Sequence, residues 1–365
     1  MAKHADVAIV GAGILGLAHA LAAAKRGLSV TVFERDERAA GASVRNFGLG
    51  LVVGQAPGEM QALAMASRRA WLDVLDATQS RFRIDGSVIV ARDRTELAVL
   101  ESFQTLRGKD YDTRMIGTTE LGVLGVRGVG GLASPHEIAL ESRVVIPALA
   151  RWLAERHGVE FVWDAQVNAI ELPRIVTSRG DYYAERVIIC AGHDTQTLYP
   201  DAFATLGLRR CRLQMLRLAN PGVTLGPTLM TGLSTLHYPA FADVPELAAL
   251  QAQVAARAPA LVEHGIHLIV QQVGEDGDLI VGDSHDYSTT PSPFASETVD
   301  QLILNLAQNL LGRALAIRER WQGVYGSGAR PYAILHPAPG VTAITMMAGV
   351  GMSVAFALAE QQFKD

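Results

Sequence analysis

Cysteine is scarce in this sequence. Its two cysteines, Cys190 and Cys211, form no C-x-x-C motif, and two thiols cannot make a disulfide framework. A small secreted fold held together by disulfides is therefore excluded. Cys190 stands in an apolar strand pattern, so we expect it in the core. A reducing, cytoplasmic setting is the simplest expectation.

A strong excess of one charge is also missing. The chain has 32 lysines and arginines against 37 acidic residues, a net charge of −5. Such a chain has no general attraction to nucleic acid or to anionic membranes, so we expect neither as a partner. Any site for an anion must be built locally. With 365 residues, 49% of them hydrophobic, a globular protein of two domains is expected.

Long uncharged runs are rare. The run from Val341 to Ala359 raises the question of a membrane span, but threonine and glycine residues interrupt it. We predict instead a strand over 341–346, a glycine turn and a helix over 352–361.

The apolar residues 7–24 imitate a secretory signal, yet Asp6 stands where a signal would be basic. We therefore expect no signal peptide and no membrane span.

What the sequence does contain is a glycine-rich turn between a strand and a helix. An apolar strand pattern over 6–10 precedes Gly11, Gly13 and Gly16, a helical pattern follows to residue 25, and a second strand covers 29–33. This is G-x-G-x-x-G in a βαβ unit, the pattern of dinucleotide binding. Gly11 allows the tight turn, Gly13 lets a pyrophosphate approach the backbone, and Gly16 lets helix and strand pack closely.

Glu34 completes this pattern at the end of the second strand. Its carboxylate can accept hydrogen bonds from ribose hydroxyls and would repel a 2′-phosphate. The start of the helix, at Ile14 and Leu15, directs free N–H groups and the positive end of the helix dipole towards the phosphates. The glycine-rich segment 43–50, which contains Arg45 and Asn46, is predicted to be a loop near the cofactor.

The rest of the chain alternates between two kinds of sequence pattern. Residues 186–190 form a continuous apolar strand, typical of the inside of a parallel sheet, and end at Ala191-Gly192. Residues 83–134 and 206–325 are rich in strands and turns, with a hairpin signal at Glu275-Asp276-Gly277. Helices are predicted over 62–75, 95–106, 142–157 and 298–311, the third with its regular portion beginning near Pro147.

This pattern predicts an α/β plus antiparallel β fold with two interleaved domains. A discontinuous Rossmann-like FAD-binding domain is expected over 1–82, 135–205 and 326–365. A substrate domain on a mainly antiparallel sheet is expected over 83–134 and 206–325. The second glycine-turned helix, at Gly349 and Gly351, arrives from the far end of the chain. Its N-terminus can face a second part of a long cofactor, which favours FAD over a nicotinamide cofactor.

These residues resemble the D-amino-acid oxidase-like flavoenzymes, the superfamily that includes glycine oxidase and sarcosine oxidase. The resemblance covers nearly the whole chain and rests on the N-terminal glycines with Glu34, on Val187 to Gly192, and on Gly349 to Met352. Three further segments resemble a branch associated with bacterial phosphonate catabolism. They are Ser43 to Gly48, Ser134 to Glu137 with Glu141 to Arg143, and Gly282 to His285.

The resemblance implies FAD in an extended form, with its flavin between Arg45-Asn46 and the turn at Gly351-Met352. It implies non-covalent binding, because no cysteine stands near Tyr325 to His336, where some members tether the flavin. Glu34 would contact the adenosine ribose, and the backbone of Val167 would lie near the adenine. The cofactor-binding residues are thus predicted to be Gly11, Gly13, Ile14, Leu15, Gly16, Glu34, Arg35, Ser43, Arg45, Asn46, Val167, Ala191, Gly192, Gly349, Val350, Gly351 and Met352.

The resemblance also implies amine oxidation, with hydride passing from the carbon beside nitrogen to flavin N5, followed by imine hydrolysis. Two departures matter. Tyr325 stands where the W-x-G-x-R pattern of glycine oxidase-like members has a carboxylate-binding arginine. The segment from Leu279 to His285 has no lysine, whereas sarcosine oxidase-like members carry one there that assists reaction with oxygen. The electron acceptor, O2 or another, therefore stays open.

The branch resemblance implies a small aminophosphonate as substrate, such as an N-methyl or hydroxyl derivative of 2-aminoethylphosphonate. A tetrahedral phosphonate suits several spread donors better than one arginine. The candidate substrate residues are Arg45, Asn46, His237, Tyr238, His285, Tyr325 and Arg330. Three alternatives stay open: an N-alkyl or D-amino-acid oxidase, a flavin-dependent 2-hydroxy-acid dehydrogenase, and a flavin-binding accessory subunit.

No metal site is predicted from the sequence. His285 stands beside Asp283 and Asp286, but all three fall at one strand end within four residues. We interpret them as solvated turn residues, because no further spaced ligands accompany them.

Overall fold

The computed structural model describes residues 4–364. Within that range the strands are β1 (His4–Val10), β2 (Val30–Phe33), β3 (Leu49–Gly50), β4 (Phe82–Arg83), β5 (Ser87–Ala91), β6 (Arg114–Ile116), β7 (Gly130–Ser134), β8 (Ile138–Leu140), β9 (Glu160–Val162), β10 (Val167–Glu171), β11 (Arg174–Thr177), β12 (Gly180–Ile189), β13 (Arg209–Leu218), β14 (Thr228–Thr231), β15 (Ile269–Val273), β16 (Asp278–Gly282), β17 (Asp286–Ser288), β18 (Ile317–Ser327), β19 (Tyr332–Ala338) and β20 (Val341–Met346).

The α-helices of the same range are α1 (Ile14–Ala24), α2 (Glu59–Ala77), α3 (Arg94–Arg107), α4 (Thr118–Val123), α5 (Ser142–His157), α6 (Pro200–Ala204), α7 (Leu247–Arg257), α8 (Pro259–Glu263), α9 (Glu297–Leu311) and α10 (Gly351–Gln361). Short 3₁₀ helices cover Ala42–Val44, Gly232–Leu236 and Pro239–Phe241. The helices predicted over 62–75, 95–106, 298–311 and 352–361 are therefore confirmed, each with small shifts of its ends.

The first sheet is built around the predicted βαβ unit. Strand β1 pairs in parallel with β2 on one side and with β12 on the other. Strand β9 extends the parallel sheet beyond β2, and β20 extends it beyond β12. The apolar end of β12, at 187–189, is buried on both faces, as predicted for a strand inside a parallel sheet. The antiparallel strands β10, β11 and β19 complete this sheet.

Helix α5 begins earlier than the sequence analysis predicted. Its regular portion was expected near Pro147, but the helix already starts at Ser142. The N–H groups of Val144 and Val145 both donate to the carbonyl of Glu141, so the first turn closes before the proline. Pro147 is the sixth residue of the helix, so the hydrogen bond that its N–H would donate to the carbonyl of Arg143 is absent.

The second sheet is mainly antiparallel. Its strands follow the order β17-β13-β16-β15-β14-β5-β7-β6, with β18 paired to β13, and β14 with β5 is a parallel pair. Strands β15 and β16 form the predicted hairpin around Glu275 to Gly277. This sheet takes its strands from 87–134 and 209–327, whereas the first takes its own from 4–33, 160–189 and 332–346. The two sheets are thus interleaved along the chain, and the exact domain boundaries stay a prediction.

The uncharged C-terminal run folds as predicted into a strand, a glycine turn and a helix. Strand β20 pairs with β12 and β19, and α10 packs on α1 and α2. Among residues 4–364 there is no helix with the length and apolar character needed to cross a bilayer.

Candidate active site

The turn between β1 and α1 has the geometry of a dinucleotide-binding turn. Gly11 has φ of +104°, and a Cβ atom there would lie 2.5 Å from the carbonyl oxygen of Cys190. A Cβ atom at Gly16 would collide with the carbonyl oxygen of Gly11. Both positions therefore require glycine, for the tight turn and for close helix packing, as the sequence pattern predicts.

Polar groups meet at this turn. The hydroxyl of Ser43 accepts a hydrogen bond from the amide of Ile14 at 2.9 Å, and it would lie 2.9 Å from a Cβ atom at Gly13. The carboxylate of Glu34 accepts from the amide of Ala12 at 2.9 Å, and burial raises the pKa of Glu34. Ser43 and Glu34 thus border the start of α1, where a pyrophosphate and a ribose would lie.

Two more segments line the edge of the parallel sheet beside this turn. The carbonyl of Glu34 accepts from the amide of Ala165, which places the segment leading to Val167 next to the ribose side. Arg35 forms an ion pair with Asp194 at 2.9 Å, just beyond Ala191-Gly192. The predicted contacts of Arg35 and Val167 with the cofactor stay predictions.

The second glycine-turned helix reaches the first. A Cβ atom at Gly351 would lie 3.8 Å from Cγ2 of Ile14, so the starts of α10 and α1 are neighbours. The Thr345 hydroxyl donates to the carbonyl of Gly192 at 3.1 Å, which fixes the end of β20 beside β12. Two helix starts, each with the positive end of its dipole and each set beside glycines, therefore meet here, and this arrangement fits FAD.

The loop at 42–48 borders the start of α1. The Asn46 side chain donates to the carbonyls of Ala42 and Ser43 at 2.8 and 3.0 Å, and accepts from the amide of Gly48 at 2.6 Å. Its hydrogen bonds therefore shape the loop, and its predicted contact with a substrate amine stays a prediction. Arg45 is exposed, and its carbonyl accepts from the Trp321 indole at 3.1 Å.

Arg330 stands on the loop between β18 and β19, beside the turn that precedes α10. Two hydrogen bonds fix its loop to that turn. The amide of Gly328 donates to the carbonyl of Met347 at 3.0 Å, and the amide of Met347 donates to the carbonyl of Pro331 at 2.8 Å. Arg330 is exposed. The two predicted arginines therefore stand on separate loops, and their contact with a common substrate stays a prediction.

Tyr325 lies beside the glycine turn that precedes α10, and it occupies the motif position at which the sequence analysis found no arginine. A Cβ atom at Gly349 would lie 3.6 Å from Cζ of Tyr325. Strand pairing puts Tyr325 of β18 opposite Cys211 of β13, which in turn faces Tyr287 of β17. Burial raises the pKa of Cys211 and of Tyr287 to about 12, and it raises the pKa of Tyr325 further. Tyr325 is thus a neutral hydrogen-bonding group near pH 7.

The remaining predicted substrate residues are part of a histidine cluster. The side chains of His237, His267 and His285 offer nitrogen atoms that all lie within 4.8 Å of one another. The ring of Tyr238 lies 5.6 Å from that of His267, and burial raises the pKa of Tyr238. The sequence analysis missed His267, since its only local signal is a histidine before the apolar strand β15.

The interpretation of Asp283 and His285 as solvated turn residues was wrong. Asp283 is only 4% exposed, and burial raises its pKa to about 6. Its carboxylate lies 3.3 Å from Nε2 of His267 and 3.9 Å from Nε2 of His285. Asp286 does reach solvent and pairs with Arg212 at 2.9 Å. Tertiary packing against the segment 264–267 buries the first two residues, which no local pattern indicates.

Comparisons with known proteins agree with this geometry. The model of the family described as "DAO: FAD dependent oxidoreductase" matches residues 6–361. Over 234 residues the chain is 27% identical to the tRNA 5-methylaminomethyl-2-thiouridine biosynthesis bifunctional protein MnmC of Chromohalobacter salexigens. That match covers 60% of this chain and 32% of MnmC, so the chain matches about a third of the length of that relative.

Two solved structures have the same fold. Glycine oxidase from Geobacillus kaustophilus superposes with a TM-score of 0.78 at 17% identity, covering 98% of this chain and 93% of that one. Dithionite-reduced L-alpha-glycerophosphate oxidase from Mycoplasma pneumoniae with FAD bound gives a TM-score of 0.74 at 19% identity, covering 98% and 94%. The glycine-lined cradle between two helix starts fits the cofactor that this family uses, FAD. The chain therefore belongs to the DAO family of FAD-dependent oxidoreductases.

Proposed function

We propose that this enzyme oxidises a small amine that carries an anionic group, and that the substrate is an aminophosphonate. Bound FAD supplies the hydride acceptor for the carbon next to the amine nitrogen. The substrate becomes an imine, which water hydrolyses to a carbonyl compound and an amine or ammonia. The fold neighbours named as glycine oxidase, L-amino acid deaminase and iminodiacetate oxidase support amine oxidation on this scaffold.

The observation that carries the choice of anion is the neutral Tyr325 beside the glycine turn that precedes α10. A planar carboxylate suits one bidentate arginine, and tyrosine offers only one hydroxyl. A phosphonate has three oxygens and up to two negative charges, so it suits donors that approach from several directions. We assign Arg45 and Arg330, two exposed arginines on separate loops, together with Tyr325, as such a set.

The histidine cluster is less suited to bind the anion. His237 and His285 were predicted as phosphonate donors, but the carboxylate of Asp283 lies against His267 and His285. This carboxylate would repel a dianion when it is ionised. We therefore assign the anion to the two arginines and to Tyr325, with Tyr238 as a neutral neighbour.

A substrate comparison tests this proposal. The purified protein is mixed anaerobically with N-methyl-2-aminoethylphosphonate, its carboxylate analogue N-methyl-β-alanine, glycine, sarcosine, D-amino acids and 2-hydroxy acids, and flavin bleaching is followed. We expect kcat/KM for the aminophosphonate to exceed that for its carboxylate analogue by about tenfold or more. It should rise with pH as the substrate amine loses its proton, because only the neutral amine gives up hydride readily.

Other outcomes identify the alternatives. If glycine, sarcosine or a D-amino acid reduces the flavin more efficiently than every aminophosphonate, the enzyme is an N-alkyl or D-amino-acid oxidase. Faster reduction by a 2-hydroxy acid would indicate a hydroxy-acid dehydrogenase. Reduction by any of these with the purified chain alone excludes an accessory subunit.

Substitution of one arginine provides a sharper check. Arg330→Ala should raise KM for the aminophosphonate by about tenfold, because one charged hydrogen bond to the anion is lost, and should change KM for an uncharged amine little. Arg313→Ala, at an exposed arginine on the turn after α9, is the matched control and should leave KM unchanged. An unchanged KM in Arg330→Ala would remove Arg330 from the site.

A further inference from the structure

Three histidines from distant parts of the chain converge at one end of the neighbouring strands β14, β15 and β16 of the second sheet. His237 follows the 3₁₀ helix Gly232–Leu236, His267 precedes β15, and His285 follows β16. His267 is 3% exposed and the side chain of His285 is 9% exposed, whereas His237 reaches solvent. In the described part of the chain this is the one group of three or more histidine, cysteine or acidic residues with the proximity that a metal ion requires.

The spacing of the three rings matches imidazoles around a single ion. Their centroids are 4.5, 5.1 and 5.2 Å apart. An imidazole bound to zinc at about 2.1 Å has its centroid about 3.2 Å from the ion, so tetrahedral ligands would have centroids about 5.2 Å apart. The nitrogen atoms lie within 4.8 Å of one another, and small side-chain rotations would bring them to the roughly 3.4 Å that such an ion needs.

Asp283 adds a negative charge at this place. Its side chain is more than nine-tenths buried, and Oδ1 has no hydrogen-bond partner in the described structure although it lies 3.3 Å from Nε2 of His267. A buried carboxylate oxygen without a partner is costly. The carboxylate favours a cation between these side chains and disfavours an anion.

The outer hydrogen bonds of two imidazoles leave their inner nitrogen atoms free for a ligand. Nδ1 of His285 donates to the carbonyl of Gly265 at 2.8 Å. The hydroxyl of Ser234 donates to the carbonyl of Leu268 at 3.4 Å, so its oxygen can accept from Nδ1 of His267 at 3.1 Å. In this arrangement Nε2 of each ring carries a lone pair directed towards Asp283. Metal-bound histidines are held in the same way, with the second nitrogen donating to a carbonyl or hydroxyl.

We propose that His237, His267 and His285 bind one divalent transition-metal ion of the zinc class, with Asp283 supplying the adjacent carboxylate. Three imidazoles and a carboxylate are the donors that zinc prefers, and the set carries one negative charge. The exposure of His237 provides a path for the ion and a position for a water ligand. The ion would join three segments of the second sheet, so it would also stabilise the fold.

Metal content tests this proposal independently of the proposed substrate. Holoenzyme without a histidine tag is stripped with a chelator, incubated with zinc and desalted, and the zinc is measured by mass spectrometry. We expect about one zinc per chain and a melting temperature that rises with zinc concentration. In His285→Gln and in Asp283→Asn the retained zinc should fall by about tenfold or more. His336→Gln, at an exposed histidine on β19, is the matched control and should retain about one zinc.

Cobalt(II) provides a second measurement that does not depend on the variants. The wild-type protein should develop the visible absorption of four- or five-coordinate cobalt, and zinc should remove it. Circular dichroism and FAD content show whether the variants are folded. Wild-type protein that retains less than a tenth of an equivalent of zinc, that shows no cobalt band, or whose folded variants retain as much zinc as the wild type would overturn the proposal.

Discussion

At the scale of single residues, burial decides the protonation of His19. This residue of α1 is fully buried, its Nδ1 donates to the carbonyl of Leu15 at 2.6 Å, and its Nε2 has no partner among the described residues. Burial lowers the pKa of His19 from 6.5 to about 4. Because α1 supports the dinucleotide turn, protonation of this side chain would strain the site as well as the core.

The pKa of His19 predicts a pH dependence of stability. The unfolded chain binds a proton near pH 6.5 and the folded chain only near pH 4, so this contribution is constant above pH 6.5 and is lost as the pH falls towards 4. Between pH 7 and 5 the loss should be about 2 kcal/mol. His19→Gln should lose about that much less over the same interval, whereas His336→Gln should not differ from wild type. Denaturant unfolding of FAD-saturated protein measures this, and identical pH profiles for His19→Gln and wild type would contradict it.

At the scale of elements, the position of α10 depends on its contact with α2. The indole of Trp71 donates to the carbonyl of Met352 at 2.7 Å, and its ring packs edge-on against Phe356 with centroids 4.9 Å apart. Trp71 is 1% exposed. Met352 lies in the first turn of α10, so this bond holds the start of that helix, where the flavin is predicted to bind.

Trp71→Phe should therefore weaken both the fold and cofactor binding. It keeps a ring in the core but removes the hydrogen bond and leaves a small cavity, so we expect the free energy of unfolding to fall by about 1–3 kcal/mol. FAD affinity, measured by flavin fluorescence on dilution, should fall with it. Trp152→Phe, at a half-buried tryptophan of α5, is the control and should change FAD affinity little. Loss of stability with unchanged FAD affinity would show that α10 is held by other contacts.

At the scale of the whole molecule, Arg217 connects the two sheets. From β13 it pairs with Asp278 of β16 at 2.8 Å and with Glu141, the residue before α5, at 3.1 Å. Asp278 is 1% exposed and also pairs with Arg318 at 3.0 Å. This network joins the helix layer of the first sheet to the second sheet, and so contributes to the alignment of the two sheets.

Arg217→Gln should be strongly destabilising, because it leaves the buried carboxylate of Asp278 with only the half-exposed Arg318. We expect the free energy of unfolding to fall by about 3 kcal/mol, and kcat to fall because the two sheets lose a shared contact. Arg38→Gln, in the exposed pair with Glu37, should change the melting temperature little. Calorimetry and steady-state kinetics measure both effects; a stability close to wild type in Arg217→Gln would show that Arg318 alone satisfies Asp278.

The sequence by itself determined the parts of this protein that depend on short stretches of chain. Gly11, Gly16 and Glu34 were predicted because a βαβ turn needs particular residues at fixed spacing, and the continuous apolar run at 186–190 predicted the parallel strand β12. The sequence also showed that Tyr325 replaces an arginine, because the W-x-G-x-R motif covers only five neighbouring residues. These features arise from backbone geometry and periodicity within some thirty residues.

Only the tertiary structure decided which distant side chains meet. His237, His267 and His285 come from three turns, and their approach depends on the pairing of β14, β15 and β16. The same packing buries Asp283, which its local sequence placed in solvent, and the loop conformation occupies the amide of Asn46 with backbone groups. Burial and long-range contact are properties of the packed sheets, so no single segment indicates them.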